Sequence, residues 1–241
     1  MSGTIGAPPA TLPATRLALH RLAVYVISPW REARTGRIGL RATPGGFGTP
    51  FTGDANERVR VVPEGMVVET GDLGRTVPFT SLAGAAAALG MTPALEAETR
   101  FDVPPPGDPE APLAIDPAAV AHLAAWYALG NAVLEDLRAA AGPGDDPSEV
   151  QLWPEHFDIA TEIGPDGRRG GFGFSPGDDG HPLPYLYGLP WTRPEPGDPF
   201  WDDPHFRGRS LGIETLLTTG DHRAATLAFL TECRMRIAGA S

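Results

Sequence analysis

The sequence predicts an α+β protein, mostly antiparallel sheet with covering helices, and three observations point to it. Glycine (30) and proline (27) are frequent enough in 241 residues to require many turns, short strands and irregular loops. Three segments, 15–34, 117–141 and 221–238, instead repeat apolar residues at helical spacing. Between them lie short β-type runs joined by turn-length connections, whereas a parallel crossover needs about a dozen residues or more. Hydrophobic residues at 41% and charged residues at 20% support a packed core rather than a disordered chain.

Taken in order, residues 1–12 form a Pro/Ala-rich tail expected to be disordered. Pro13 suits a first helical position, and Leu19, Leu22, Ala23, Val26, Ile27 and Trp30 continue an amphipathic helix to about Arg34, ended by Thr35-Gly36. Strands at 37–42, 58–62, 66–70 and 76–79 follow as an antiparallel meander, and Ser81 caps a short Ala-rich helix that stops at Gly90. These elements make an N-terminal half, 13–102. Residues 103–115 read as a Pro-rich linker, because three consecutive prolines resist both helix and sheet. The C-terminal half, 116–241, opens with Asp116-Pro117 and a long helix, continues through a hairpin and an aromatic, Pro-rich loop, and closes with a helix capped by Asp221. Each half runs helix, strands, helix, and each holds a Gly-Gly-Phe-Gly tetrapeptide, at 45–48 and at 170–173. This is either a diverged internal repeat built on a shared sheet or a coincidence in a glycine-rich chain. The two halves are expected to form one compact unit.

Charge and residue usage narrow the function classes. A formal charge of −11 disfavours nucleic acid, whose affinity rests on Lys and Arg neutralising phosphates. No apolar run is long enough to span a bilayer, and residues 1–15 show no basic-then-apolar leader, so a cytoplasmic protein without a membrane partner is expected. Cys233 is the single cysteine, which rules out an intrachain disulfide and a multi-cysteine metal cage. All 19 basic residues are Arg. The absence of Lys excludes a pyridoxal-phosphate aldimine and a Walker-type phosphate loop, and no Rossmann dinucleotide fingerprint is present. A divalent metal held by His, Asp and Glu stays open. Nothing in the pattern sets an oligomeric state.

Chemistry-bearing residues concentrate in the second hairpin. In Gln151–Ile163 the apolar Trp153, Phe157, Ile159 and Ile163 alternate with His156, Asp158 and Glu162, as in a half-buried strand. Gly164-Pro165-Asp166-Gly167 returns the chain into Arg168–Ser175. A two-residue turn would pair Phe172 with Ile159 and Phe174 with Phe157, placing Ser175 opposite His156, whereas a bulged three-residue turn shifts the pairing by one. In the first register His156, Asp158 and Ser175 share a face and are candidate catalytic residues. Gly173-Phe-Ser-Pro-Gly177 matches a nucleophile elbow in letters only, since Pro176 supplies no oxyanion N–H and no helix can follow it. His156, Asp158, Asp178, Asp179 and His181 are candidate metal ligands, with a solvated acidic turn as the competing explanation. Tyr185, Tyr187 and Trp191 are candidate walls of a small-molecule pocket, or aromatics that anchor an irregular loop. Asp202, Asp203 and His205 read as an exposed loop.

The strings Leu152-Trp-Pro-Glu-His-Phe-Asp-Ile-Ala160, Ser175-Pro-Gly-Asp178 and His181-Pro-Leu-Pro-Tyr-Leu-Tyr187, with Gly36–Arg41 and Thr43–Phe51, resemble a family of uncharacterised actinobacterial proteins over most of the chain. The resemblance implies no activity and assigns no residue a role. Two function classes follow from the residues themselves. One is a small-molecule site, enzymatic or not, built on the second hairpin. The other is a non-catalytic binding or scaffold protein in which the same side chains are structural.

Overall fold

The computed structural model describes residues 5–195 and 197–239, so residues 1–4 of the expected tail lie outside the described residues. The chain divides into two compact units. The N-terminal unit comprises Pro8–Ala128 and Leu152–Phe157, and the C-terminal unit Met1–Ala7, Leu129–Gln151 and Asp158–Ser241. The fold class is the α+β arrangement the sequence predicts: two five-stranded antiparallel sheets with helices. Among the described residues no helix is long and apolar enough to cross a membrane.

The N-terminal unit opens with α1 (Leu12–Leu22), a π-helical segment (Ala23–Ile27) and α2 (Ser28–Thr35). The sequence predicts one continuous helix here, and Pro29 explains the difference. Proline lacks the N–H that would bond the Tyr25 carbonyl four residues back, and its ring crowds that carbonyl. The helix widens, with the Ser28 N–H reaching back to Ala23, and the freed Tyr25 carbonyl accepts the Ala94 N–H at 2.9 Å instead. The meander follows as β1 (Arg41–Thr43), β2 (Gly46–Gly48), β3 (Glu57–Val62), β4 (Gly65–Thr70) and β5 (Leu73–Val77), paired in sequence order. Next come α3 (Leu82–Ala88), capped by Ser81, and α4 (Ala97–Arg100). The Pro-rich stretch 103–115 runs within this unit as an extended strap. Its Pro104 carbonyl accepts Tyr25 Oη at 2.7 Å, Pro105 accepts Arg21 Nε at 2.8 Å, and Leu113 donates to the Thr80 carbonyl at 2.8 Å. Phe47, Tyr127 and Phe157 meet edge to face in the core of the unit.

Helix α5 (Pro117–Ala139) carries the chain from one unit into the other. The second sheet has the order β10–β9–β8–β7–β6, formed by β6 (Gln151–Trp153), β7 (Asp158–Ile163), β8 (Gly170–Ser175), β9 (Tyr185–Pro190) and β10 (Arg209–Gly212). Helices α6 (Ile213–Leu217) and α7 (His222–Ala238) close the chain, with Asp221 capping α7 through the Ala224 N–H. In the C-terminal unit Ile159, Ile163, Phe172, Phe174, Leu186 and Leu230 are buried. Ile5, inside the expected tail, is buried too, and its N–H donates to His222 Nδ1 at 3.1 Å. The two Gly-Gly-Phe-Gly elements belong to separate sheets rather than a shared one. They occupy the second strand of the first meander and the third of the second, and each places a fully buried Phe, 47 or 172.

Candidate functional site

The segment Gln151–Ile163 is not one strand. It is β6, a turn at 154–157, and β7, with the Phe157 N–H closing onto the Trp153 carbonyl at 2.7 Å. Pro154 is the cause, since a proline donates nothing to a central ladder. The β7–β8 pairing also differs from both expected registers, setting Ile159 against Phe174 and Thr161 against Phe172. The loop is wider than a two- or three-residue turn because Arg169 braces it, donating to the Gly164 carbonyl at 2.9 Å. A shift of two residues keeps the phenylalanines on the core face but moves their neighbours. Ser175 now lies across from Asp158, and His156 is an exposed turn residue away from both.

The polar face of β7, β8 and β9 therefore gathers Asp158, Ser175, Tyr185 and Tyr187 without His156. Tyr187 donates its hydroxyl to the buried Asp158 carboxylate, and Tyr185 donates to Asp178 Oδ2 at 2.6 Å. Burial and the Asp158 charge push the Tyr187 phenol pKa far up, and burial with Asp178 does the same to Tyr185. Burial works against charge on Asp178, but the Tyr185 hydroxyl and the His181 and Gly180 amides outweigh it and hold that pKa below the usual carboxylate value. Ser175 Oγ accepts the Gly177 N–H at 3.1 Å.

His181 joins the cluster through Asp203. Its Nε2 lies 2.9 Å from Asp203 Oδ2, and the Asp203 side chain is 0% exposed. Ser210 Oγ donates to the same oxygen at 2.5 Å, while the amides of His205 and Phe206 bond Oδ1. Asp203 thus ties the 203–206 loop to β10 and is not an exposed loop residue. Phe206 packs over Tyr185, Tyr187 and His181. Of the other candidates, Asp179 is exposed in its loop, and Trp191 is 58% exposed with the Arg169 guanidinium over its ring. Among the described residues no group of three or more His, Cys, Asp or Glu side chains stands close enough to hold a metal ion. The five metal-ligand candidates are not brought together as one group: Asp178 and His181 stand 3.8 Å apart, His156 sits in the turn, and Asp158 and Asp178 are engaged by tyrosines.

A concave site lies elsewhere, in the N-terminal unit. A cleft of about 410 Å³, counting space open to solvent, runs along the π-helical segment and is walled by the β6–β7 turn through Pro154 and Glu155. Val24, Ile38, Ala97 and Phe101 supply apolar surface. Ser28 Oγ donates to the Ile38 carbonyl at 2.9 Å, and Ala94 is fixed by its bond to Tyr25. At the rim Arg100 holds Glu32 with two hydrogen bonds of 3.0 and 3.1 Å, which lowers the Glu32 pKa. Glu155 Oε2 is buried and has no hydrogen-bond partner among the described residues.

The wall that carries Glu155 is held unusually. Phe157 sits at φ +55°, a conformation rarely adopted by a bulky side chain, and its ring stacks on His20 at 5.1 Å and 9°. Burial pushes the His20 pKa down to about 4, with the backbone of Pro154 and Glu155 offsetting part of the effect. Strained backbone and π-type widening both recur at functional sites. The sequence carried one signal of this site, a proline followed by a carboxylate inside an apparently continuous strand. Comparison with protein-family models, curated proteins and solved structures finds no match.

Proposed function

We propose that the chain binds a small organic molecule in the Glu155 cleft, and that the Asp158, Ser175, Tyr185, Tyr187 and His181 cluster is a scaffold. The observation that carries this reading is Glu155, a residue that lines the cleft and has its Oε2 buried without a donor. Buried polar atoms are almost always satisfied, so an unpaired carboxylate oxygen calls for a donor from outside the chain, whether water, ion or ligand. The cleft combines apolar walls with a few fixed polar groups, the mixture from which ligand sites are built. The second hairpin commits most of its polar groups to one another, Tyr187 to Asp158, Tyr185 to Asp178, and His181 and Ser210 to Asp203, and leaves His181 Nδ1 buried 3.8 Å from Asp178.

Amide chemical shifts read during titration with n-butylammonium, n-butanol and n-butyrate at millimolar concentration test the location. The expected perturbations fall at Val24, Ser28, Ile38, Ala97 and Phe101. Perturbations gathered at Ser175, Tyr185, Tyr187 and His181, or none at the cleft with any probe, would overturn the reading. Asp158→Asn is expected to leave binding unchanged and to lower stability by about 1–3 kcal/mol, because it weakens a charge-assisted bond inside a buried network.

A further inference from the structure

We infer that the cleft selects a compact organic cation, an alkylammonium or alkylguanidinium group on a short apolar body, with the Glu155 carboxylate as its counter-ion. The inference rests on the cleft being the binding site and adds the class of ligand. Three carboxylates line the cleft, Glu32, Glu96 and Glu155, against one guanidinium, Arg100. Arg100 is already committed to Glu32 through both of its terminal nitrogens. Glu155 therefore has no cationic partner among the lining residues, and Glu96 only shares the field of the same Arg100. The two differ in place: Glu96 stands at the start of α4, whereas Glu155 has one carboxylate oxygen buried without a donor.

A buried carboxylate oxygen without a donor is costly, and a charged N–H donor relieves that cost most, since charge-assisted bonds are about twice as strong as neutral ones. His20, which lies against the same turn, offers no positive charge near neutral pH. An anionic ligand would meet a lining with more carboxylates than cations. A neutral one would desolvate Glu155 further without neutralising it. The apolar surface of Val24, Ile38, Ala97 and Phe101 suits the alkyl part of the ligand, and the modest size of the cleft limits that part to a short chain.

The test compares isosteric probes on the full chain. By chemical-shift titration, n-butylammonium and n-butylguanidinium are expected to bind at least about tenfold tighter than n-butanol, with n-butyrate weakest. Glu155→Gln, which keeps shape and removes charge, is expected to bring the ammonium probe down to the affinity of the alcohol, and Glu64→Gln, at an exposed turn outside the cleft lining, to change it by less than about threefold. Equal affinity for n-butanol and n-butylammonium at the cleft of the wild type would overturn the cation inference and leave the binding site standing. A preference that survives Glu155→Gln would overturn the assignment to that residue. Cleft resonances that no probe moves would remove the binding site and the cation together. The wild-type comparison decides the charge preference even if the variant fails to fold.

Discussion

Asp203 and Asp202 are neighbours of the same type in the same irregular loop, and their surroundings divide them. Asp203 is fully enclosed and takes bonds from His181, Ser210 and two backbone amides, whereas Asp202 is exposed. Removing the enclosed carboxylate strands several donors at once. Asp203→Ala is expected to lower stability by about 1–3 kcal/mol, and Asp202→Ala to stay within about 0.5 kcal/mol. Urea midpoints at constant slope measure both. His20 gives a second prediction at this scale. Its pKa falls from the usual 6.5 to about 4 in the folded chain, so the unfolded state binds the proton more readily. The stability that depends on neutral His20 is complete above pH 6.5 and is lost as the pH falls toward about 4. The loss reaches up to about 3 kcal/mol. Carboxylates also titrate in that window, so the measured quantity is the difference between wild type and His20→Phe, whose stability is expected to fall less steeply between those limits. Parallel pH profiles would contradict it.

At the scale of elements, α5 sets helix propensity against packing. Gly130 lies in its interior, where alanine would favour the helix by about 1 kcal/mol. A β-carbon there would meet Ile159 Cγ2 and Phe174 Cγ at 2.9 Å, closer than packed atoms tolerate. Overpacking of this kind costs about 1–3 kcal/mol, so Gly130→Ala is expected to destabilise despite its better propensity, while Gly171→Ala, with open space at its β-carbon, is expected to be near neutral. Thermal unfolding of the two variants checks the order. The same competition explains what the sequence made legible. Helices α5 and α7, the antiparallel order and the Ser81 and Asp221 caps follow from periodicity and local hydrogen bonding, and they were readable. The break between α1 and α2 was not, because Pro29 acts through a carbonyl one turn back and a donor at Ala94 far along the chain. The candidate site was half legible. Alternation put Asp158 and Ser175 on one face but with His156 beside them and with Tyr185 and Tyr187 in an irregular loop, and register depends on Arg169 bracing a loop, which no local pattern announces. His156 was misplaced because Pro154 was read through rather than as a stop. Glu155, the residue on which the proposed function turns, was passed over for the same reason.

At the scale of the whole molecule, the division of the chain matters more than its composition. The N-terminal unit is not a continuous stretch: Leu152–Phe157 belongs to it although Leu129–Gln151 does not. That short return contributes Phe157, buried against Phe47 and Tyr127, and the Pro154–Glu155 wall of the cleft. A fragment ending at Ala128 is therefore expected to lack both a complete aromatic core and a binding site. It should give collapsed amide dispersion and no cleft perturbation with n-butylammonium, whereas well-dispersed resonances from that fragment would show the return to be dispensable. The interrupted unit also has a consequence in time. Chains emerge from the ribosome N-terminus first, and domains commonly fold as soon as their residues are available. Here α1, α2 and the first sheet appear early but must wait for Glu155 and Phe157, which are made only after the whole of α5. The nascent chain thus carries an open aromatic core, with Phe47 and, once it is made, Tyr127 short of a partner until β6 is complete, which makes that interval the one in which a holding chaperone would find apolar surface to bind.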